Sequence, residues 1–152
     1  MRVGNAAVNQ VQHDVDGEVM DTLHHAHRAG FASDPAAWKV QKALLDFLEG
    51  NWRTADEGLW EVRGPAQHFT HSKVMAWVAI DRAVQGAELH GLRGPLPEWR
   101  ALRQEIHDDV CARGYDPKLG SFVQAYGPTL PDASPLLLPL VGFLPADDPR
   151  IV

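Results

Sequence analysis

The densest chemistry in this sequence lies in one stretch, Asp56-Glu57-Gly58-Leu59-Trp60-Glu61-Val62-Arg63-Gly64-Pro65. It sets three carboxylates, an indole and a guanidinium within ten residues, shortly before the most apolar segment of the chain. A carboxyl pressed against an indole loses hydration, which raises its pKa and suits it to donate a proton near neutral pH. Trp60 and Trp52 also offer apolar faces on which a sugar ring can stack. Spacing alone, however, favours an ordinary acidic loop anchored by a buried tryptophan. His68, His71 and Lys73 follow, and suit either hydrogen bonding to hydroxyls and to Glu61 or helix capping and salt bridging.

Other constellations are weaker. His24-His25-x-His27 and His68-x-x-His71 are the tight histidine clusters among eight histidines. Neither forms a His-Glu-x-x-His pattern, and no second cysteine supports a zinc site, so no metal and no cofactor are expected. His24 and His27 share a helix face with Asp21, which reads as solvated. No Gly-x-Ser-x-Gly elbow marks a serine nucleophile. Cys111 falls in the fourth helix beside Val110, where a thiol packs rather than reacts.

The elements that must position this loop are helices. Hydrophobic spacing predicts a first helix from about Val11 to Arg28, with Val15, Val19, Leu23 and Ala26 inward. Ser33-Asp34-Pro35 caps a second, with Val40, Ala43, Leu44, Phe47 and Leu48 as its stripe. A third covers roughly Ser72 to Leu89, and its centre, Val74 to Ile80, is apolar all round, as a buried helix is. A fourth begins near Pro97 and packs through Trp99, Leu102, Ile106 and Val110. A fifth is expected over the apolar stretch Ala133 to Phe143, weakened by Pro135 and Pro139. Leu119 to Tyr126 suits a short strand.

The connections alternate short and long. The long ones, about 51–68 and 115–132, are of a length usually reserved for function. If successive helices run antiparallel, both emerge on the same face. That implies an outer and an inner helical layer with one elaborated working end.

Bulk properties narrow the field. A chain of 152 residues, 45% hydrophobic and 22% charged, is an ordinary globular composition with one domain's worth of core. A net charge of −6 argues against nucleic acid or an anionic membrane as the main partner. One cysteine suits a reducing compartment, so the cytoplasm is expected.

Several blocks together resemble glycoside hydrolase family 15, in its bacterial glucoamylase-like and trehalase-like branch. They are Val3-Gly4-Asn5-Ala6-Ala7, Gln10-Val-Gln-His-Asp14, Gly58-Leu-Trp-Glu-Val-Arg-Gly-Pro65, His68-Phe-Thr-His-Ser-Lys-Val-Met-Ala-Trp77, Phe122-Val-Gln-Ala-Tyr-Gly127 and Gly142-Phe-Leu-Pro-Ala-Asp-Asp-Pro-Arg150. They run in order over nearly the whole chain. The resemblance implies an all-α fold, about half of an (α/α)6 barrel of the six-hairpin glycosidase type. It implies hydrolysis of an α-glucoside or oligosaccharide by inversion, with Glu61 as general acid. Leu59, Trp60, Arg63, His68 and Lys73 become the candidate substrate contacts.

The family's general base belongs to a Gly-Glu-Gly-type segment beyond the Asp-Pro-Arg block. Residues 1–152 are therefore expected to be a fragment of the catalytic domain, inactive alone and prone to self-association through uncovered apolar helices. A catalytically silent helical module that binds carbohydrate or a partner is the second reading. Asp16 departs from the tyrosine usual in relatives.

Overall fold

The computed structural model describes residues 10–32, 34–59, 64–127 and 130–151. Four helices carry the fold: α1 (Asp14–Arg28), α2 (Pro35–Asn51), α3 (Thr70–His90) and α4 (Leu96–Arg113). A two-residue hairpin, β1 (Tyr115–Asp116) with β2 (Ser121–Phe122), follows, then a 3-10 turn at Ser134–Leu137.

Contacts between the helices fix their directions. Gly17 lies against the Met75 carbonyl and Asp21 pairs with Arg82, so α1 and α3 run parallel. Asp81 with Arg103 and Glu88 with Arg100 make α4 antiparallel to α3. Trp38 Nε1 donates to the Arg93 carbonyl while Lys73 reaches the end of α2, so α2 is antiparallel to α3 as well. Trp38 against Trp99 and Arg53 against Glu105 set α2 and α4 parallel. The arrangement is two inner helices, α1 and α3, backed by two outer ones. Every inner N-terminus and every outer C-terminus lies at one end.

The core is centred on α3. Val74, Ala76, Val78, Ala79, Ile80, Ala83 and Val84 are fully buried. At about 1.5–3 kcal/mol for each of the larger side chains, their burial is the main driving force of this sector. Trp99, Leu102, Ile106 and Val110 of α4 close over them at the expected spacing.

The stripes expected on α1 and α2 are corrected. The buried face of α1 is Asp14, Asp16, Gly17, Met20 and His24, while Val15 and Val19 are exposed. On α2 the buried residues are Trp38, Gln41, Leu45 and Leu48, and Val40 and Phe47 face outward. His24 is buried rather than solvated. These helices carry apolar side chains on two faces, so periodicity alone could not choose between them.

The fifth helix does not form. Pro135 and Pro139 remove amide donors, and the segment resolves into the 3-10 turn and further turns. It still contributes to the core through Leu138, Phe143 and Leu144, with Phe143 edge-on to Trp77 at 5.1 Å.

The two long loops do share one end. Phe69 and Ala125 form an antiparallel bridge, Thr70 N donates to the Gln124 carbonyl at 2.9 Å, and Tyr126 N donates to that of His68 at 2.9 Å.

Candidate active site

The loop between α2 and α3 is moored at both ends. Asp56 and Gln67 exchange backbone hydrogen bonds at 2.9 and 2.8 Å, closing an excursion of the chain between them. Residues 11–13, just before α1, hold its ascending limb. Glu57 N donates to the Val11 carbonyl at 3.1 Å, and Val11 N donates back to Glu57 Oε2 at 2.8 Å. Gln12 Nε2 donates to the Gly58 carbonyl, and His13 N donates to Asp56 Oδ2, both at 3.1 Å. Gly58 is required here twice over. Its φ is +65°, and a Cβ would lie 2.5 Å from the Phe69 ring.

Trp60, Glu61 and Arg63 lie outside the described residues, as does the block Val3–Ala7. Leu59 stands at the edge of the closed excursion, one residue after Gly58. The loop that carries Glu61 is thus anchored by Asp56 and Gln67 at the N-terminal end of the inner helices.

His68 stacks on Tyr126, with centroids 6.0 Å apart, and burial lowers its pKa. The Tyr126 hydroxyl donates to Asp109 Oδ2 at 3.0 Å, and the Arg113 guanidinium lies 4.5 Å over the tyrosine ring. Lys73 is almost fully buried, and its ammonium donates to the carbonyls of Trp52 and Thr54 at 2.5 Å each. Burial pulls its pKa down to about 8, against the opposing pull of Asp56 and Asp109. With Trp52, Arg53, His68, Glu105, Asp109 and Arg113 it lines a polar cleft of ≈ 190 Å³ between the end of α2, the start of α3 and α4.

His13 and Asp14, which spacing did not single out, join His71 at the site. His13 Nε2 meets Thr54 Oγ1 at 2.9 Å. Burial lowers the pKa of His13 and His71 and raises that of Asp14. Asp14, Glu18, Asp132 and Asp56 surround His71 electrostatically. The close seam at Gly17 brings Asp14 and His71 to neighbouring positions on the parallel inner helices. A carboxylate at a helix start was the one available signal, and it also reads as an ordinary N-terminal charge.

Among the described residues, eight buried side-chain nitrogen and oxygen atoms have no hydrogen-bond partner: His13 Nδ1, Asp14 Oδ1, Trp52 Nε1, Asp56 Oδ1, His68 Nδ1, Thr70 Oγ1, His71 Nδ1 and Ser72 Oγ. All lie at the loop-bearing end. Such groups are costly unless something hydrogen-bonds them, and clustering marks a functional end rather than scattered packing faults. Among the described residues no group of three or more His, Cys, Asp or Glu side chains could hold a metal ion.

Paired inner and outer helices with one polar working end define this chain as part of an (α/α)6 barrel. Solved glycosidase structures share the fold. One glycosidase variant superposes with a TM-score of 0.78 at 21% identity, over 99% of this chain and 40% of that one. Another, solved in complex with glucose, gives 0.77 at 21% identity, over 93% of this chain and 38% of its own.

The sequence matches the profile of Glycosyl hydrolases family 15 over residues 1–152, and the chain belongs to that family. It is 46% identical to a trehalase of Mycolicibacterium smegmatis over 99% of its length. It is 43% identical to a trehalase of Mycobacterium tuberculosis, and 38% identical to one of Thermoplasma acidophilum over its full length. The chain spans 22% of the length of the two mycobacterial relatives and 26% of the archaeal one.

Proposed function

We propose that residues 1–152 are the acid-bearing sector of an inverting α-glucoside hydrolase of the trehalase, glucoamylase or glucodextranase type. Glu61 protonates the glycosidic oxygen as the C1–O bond breaks. A carboxylate on the opposite ring face takes a proton from the attacking water, and the resemblance puts that base outside these residues. Inversion requires the two carboxyls to stand about 6.5–9.5 Å apart to admit the water. In this reading the sector belongs to one catalytic barrel domain, whose other helices lie elsewhere in the full chain. A polypeptide of these 152 residues alone has no turnover.

The observation that carries this reading is the mooring of the 56–67 excursion. Backbone and side-chain bonds from two elements hold it where the unpartnered polar atoms of both inner helices converge. A sugar offers hydroxyls that both donate and accept, which suits neutral imidazoles beside buried carboxyls. Trp60, Leu59 and Arg63 would line the ring beside Glu61, with His68 at the end of the loop. The relatives' shared name makes trehalose the first substrate to test, ahead of maltodextrin and isomaltose. A single half-buried thiol, Cys111, suits a cytoplasmic enzyme. Among the described residues no helix is long and apolar enough to cross a membrane.

The test is the stereochemistry of the full-length protein carrying this segment. Proton NMR of freshly hydrolysed α,α-trehalose should show α- and β-glucose appearing in equal amounts before mutarotation. Initial release of α-glucose alone would mean retention. Absence of hydrolysis on trehalose, maltose and isomaltose would remove the enzymatic reading.

A further inference from the structure

The polar cleft between the end of α2 and α4 holds Lys73, a candidate substrate contact whose ammonium is given instead to two main-chain carbonyls. Lys73, the fourth residue of α3, buries its ammonium under the end of α2. A lone capping role could be filled by an exposed side chain at far lower desolvation cost. Lys73 instead grips two carbonyls, Trp52 and Thr54, that bracket the point where the chain leaves α2 and enters the loop. Two residues beyond Thr54, Asp56 begins the closed excursion. The other moorings come from residues 11–13 and from Gln67. Lys73 therefore ties the loop's entry to the same helix that receives its exit at Phe69.

We infer that Lys73 is a positioning residue: through the Trp52 and Thr54 carbonyls it sets the placement of the loop that carries Glu61. This rests on the general-acid reading above. A displacement of about 1 Å at an acid costs far more in rate than in binding, because proton transfer needs hydrogen-bond distance in the transition state. Lys73 faces Asp56 on the loop, and Asp109 and Arg113 on α4. His68 and the Arg53–Glu105 pair rim the same cleft. With a pKa near 8 its grip weakens as it loses its proton, whereas an arginine there would stay charged.

The experiment uses the full-length protein carrying this segment, with Lys73→Met, Lys73→Arg and Glu61→Gln assayed on the natural α-glucoside and on α-glucosyl fluoride. Lys73→Met should lower kcat on the natural substrate at least tenfold with KM within about threefold. The fluoride, which needs little acid assistance, should lose much less. Lys73→Arg, which keeps a charged donor for the same carbonyls, should restore most of kcat on the natural substrate. A folded Lys73→Met protein with kcat within twofold of the parent would overturn the inference. So would equal losses on both substrates, which signify a merely structural defect. If Lys73→Met fails to fold, Lys73→Gln, which keeps a shorter neutral donor, is measured in the same way: kcat within twofold of the parent, or equal losses on both substrates, overturns the proposal. If Glu61→Gln retains natural-substrate turnover, the general-acid reading fails, and Lys73 with it. Loss in Glu61→Gln without loss in Lys73→Met refutes Lys73 only.

Discussion

The parallel seam between α1 and α3 rests on Gly17, and replacing it with alanine is the sharpest mechanical test of the site's framework. A Cβ on Gly17 would fall 2.2 Å from the Met75 carbonyl oxygen and 2.7 Å from its carbon, where ordinary contact begins near 3.4 Å. The overlap is about 1 Å, and the Met75 carbonyl belongs to the backbone of a helix buried all round. Neither helix can yield locally, so the seam must open. Overpacking of this kind costs about 1–3 kcal/mol, and a backbone obstacle puts Gly17→Ala toward the upper end. Alanine's better helix propensity returns about 0.5–1 kcal/mol. The net expectation is a loss of about 2 kcal/mol.

Gly50 supplies the control. It lies within α2 with nothing within 4 Å of where a Cβ would stand, so Gly50→Ala keeps only the propensity gain. The two substitutions should differ by about 2–3 kcal/mol. At roughly 2–4 °C per kcal/mol for a domain of 150–250 residues, and less for a larger one, the full-length variants should melt several degrees apart, with Gly17→Ala the lower. Calorimetry and urea midpoints read this directly. Equal melting of the two variants would mean that α1 and α3 do not meet at Gly17, and the juxtaposition of Asp14 with His71 would fall with it.

Asp16 is buried with its pKa raised to about 6, by burial first and by Asp14 second. The folded state therefore holds a proton that the unfolded state releases above about pH 4, so the penalty is absent in acid, grows as pH rises, and is complete above about pH 6. Asp16→Asn should stabilise the full-length protein by up to about 3 kcal/mol at pH 7.5 and hardly at all at pH 4; equal effects at both pH values would refute this. The 152-residue polypeptide exposes Val11, Val15, Val19, Val40 and Phe47, and it should sediment as oligomers rather than as a compact monomer with a sharp melt.

Legibility followed chemistry that repeats at a period. The α3 and α4 helices were readable because their apolar residues leave one solution: Val74 to Ile80 is apolar on every side, and Trp99, Leu102, Ile106 and Val110 mark one clean stripe. The α1 and α2 helices form where the spacing expects them, but apart from Leu48 their buried faces differ, because polar residues fill them. His13, Asp14, Asp16, His24 and Gln41 are all buried, while Val15, Val19, Val40 and Phe47 are not. A sector of a barrel has lateral helix faces as well as a core, and a hydropathy pattern cannot distinguish them. The working loop was visible as a run of carboxylates beside tryptophan. Its moorings were not, because they run through main-chain groups at Val11, Trp52, Thr54 and Gln67, which carry no side-chain signature. The fifth helix failed where Pro135 and Pro139 break the amide ladder, although Leu138, Phe143 and Leu144 still reach the core.

The decisive measurement is the hydrolysis rate of Glu61→Gln in the full-length protein, on its natural α-glucoside and on α-glucosyl fluoride. The amide is nearly isosteric but has no proton to give, so binding should persist while natural-substrate turnover falls by at least the 10²–10⁴-fold typical of general acid catalysis. The fluoride, whose leaving group needs little protonation, should lose far less. Natural-substrate turnover within about tenfold of the parent would contradict Glu61 as the acid, and Glu57 and Asp56 would then be the carboxyls to test.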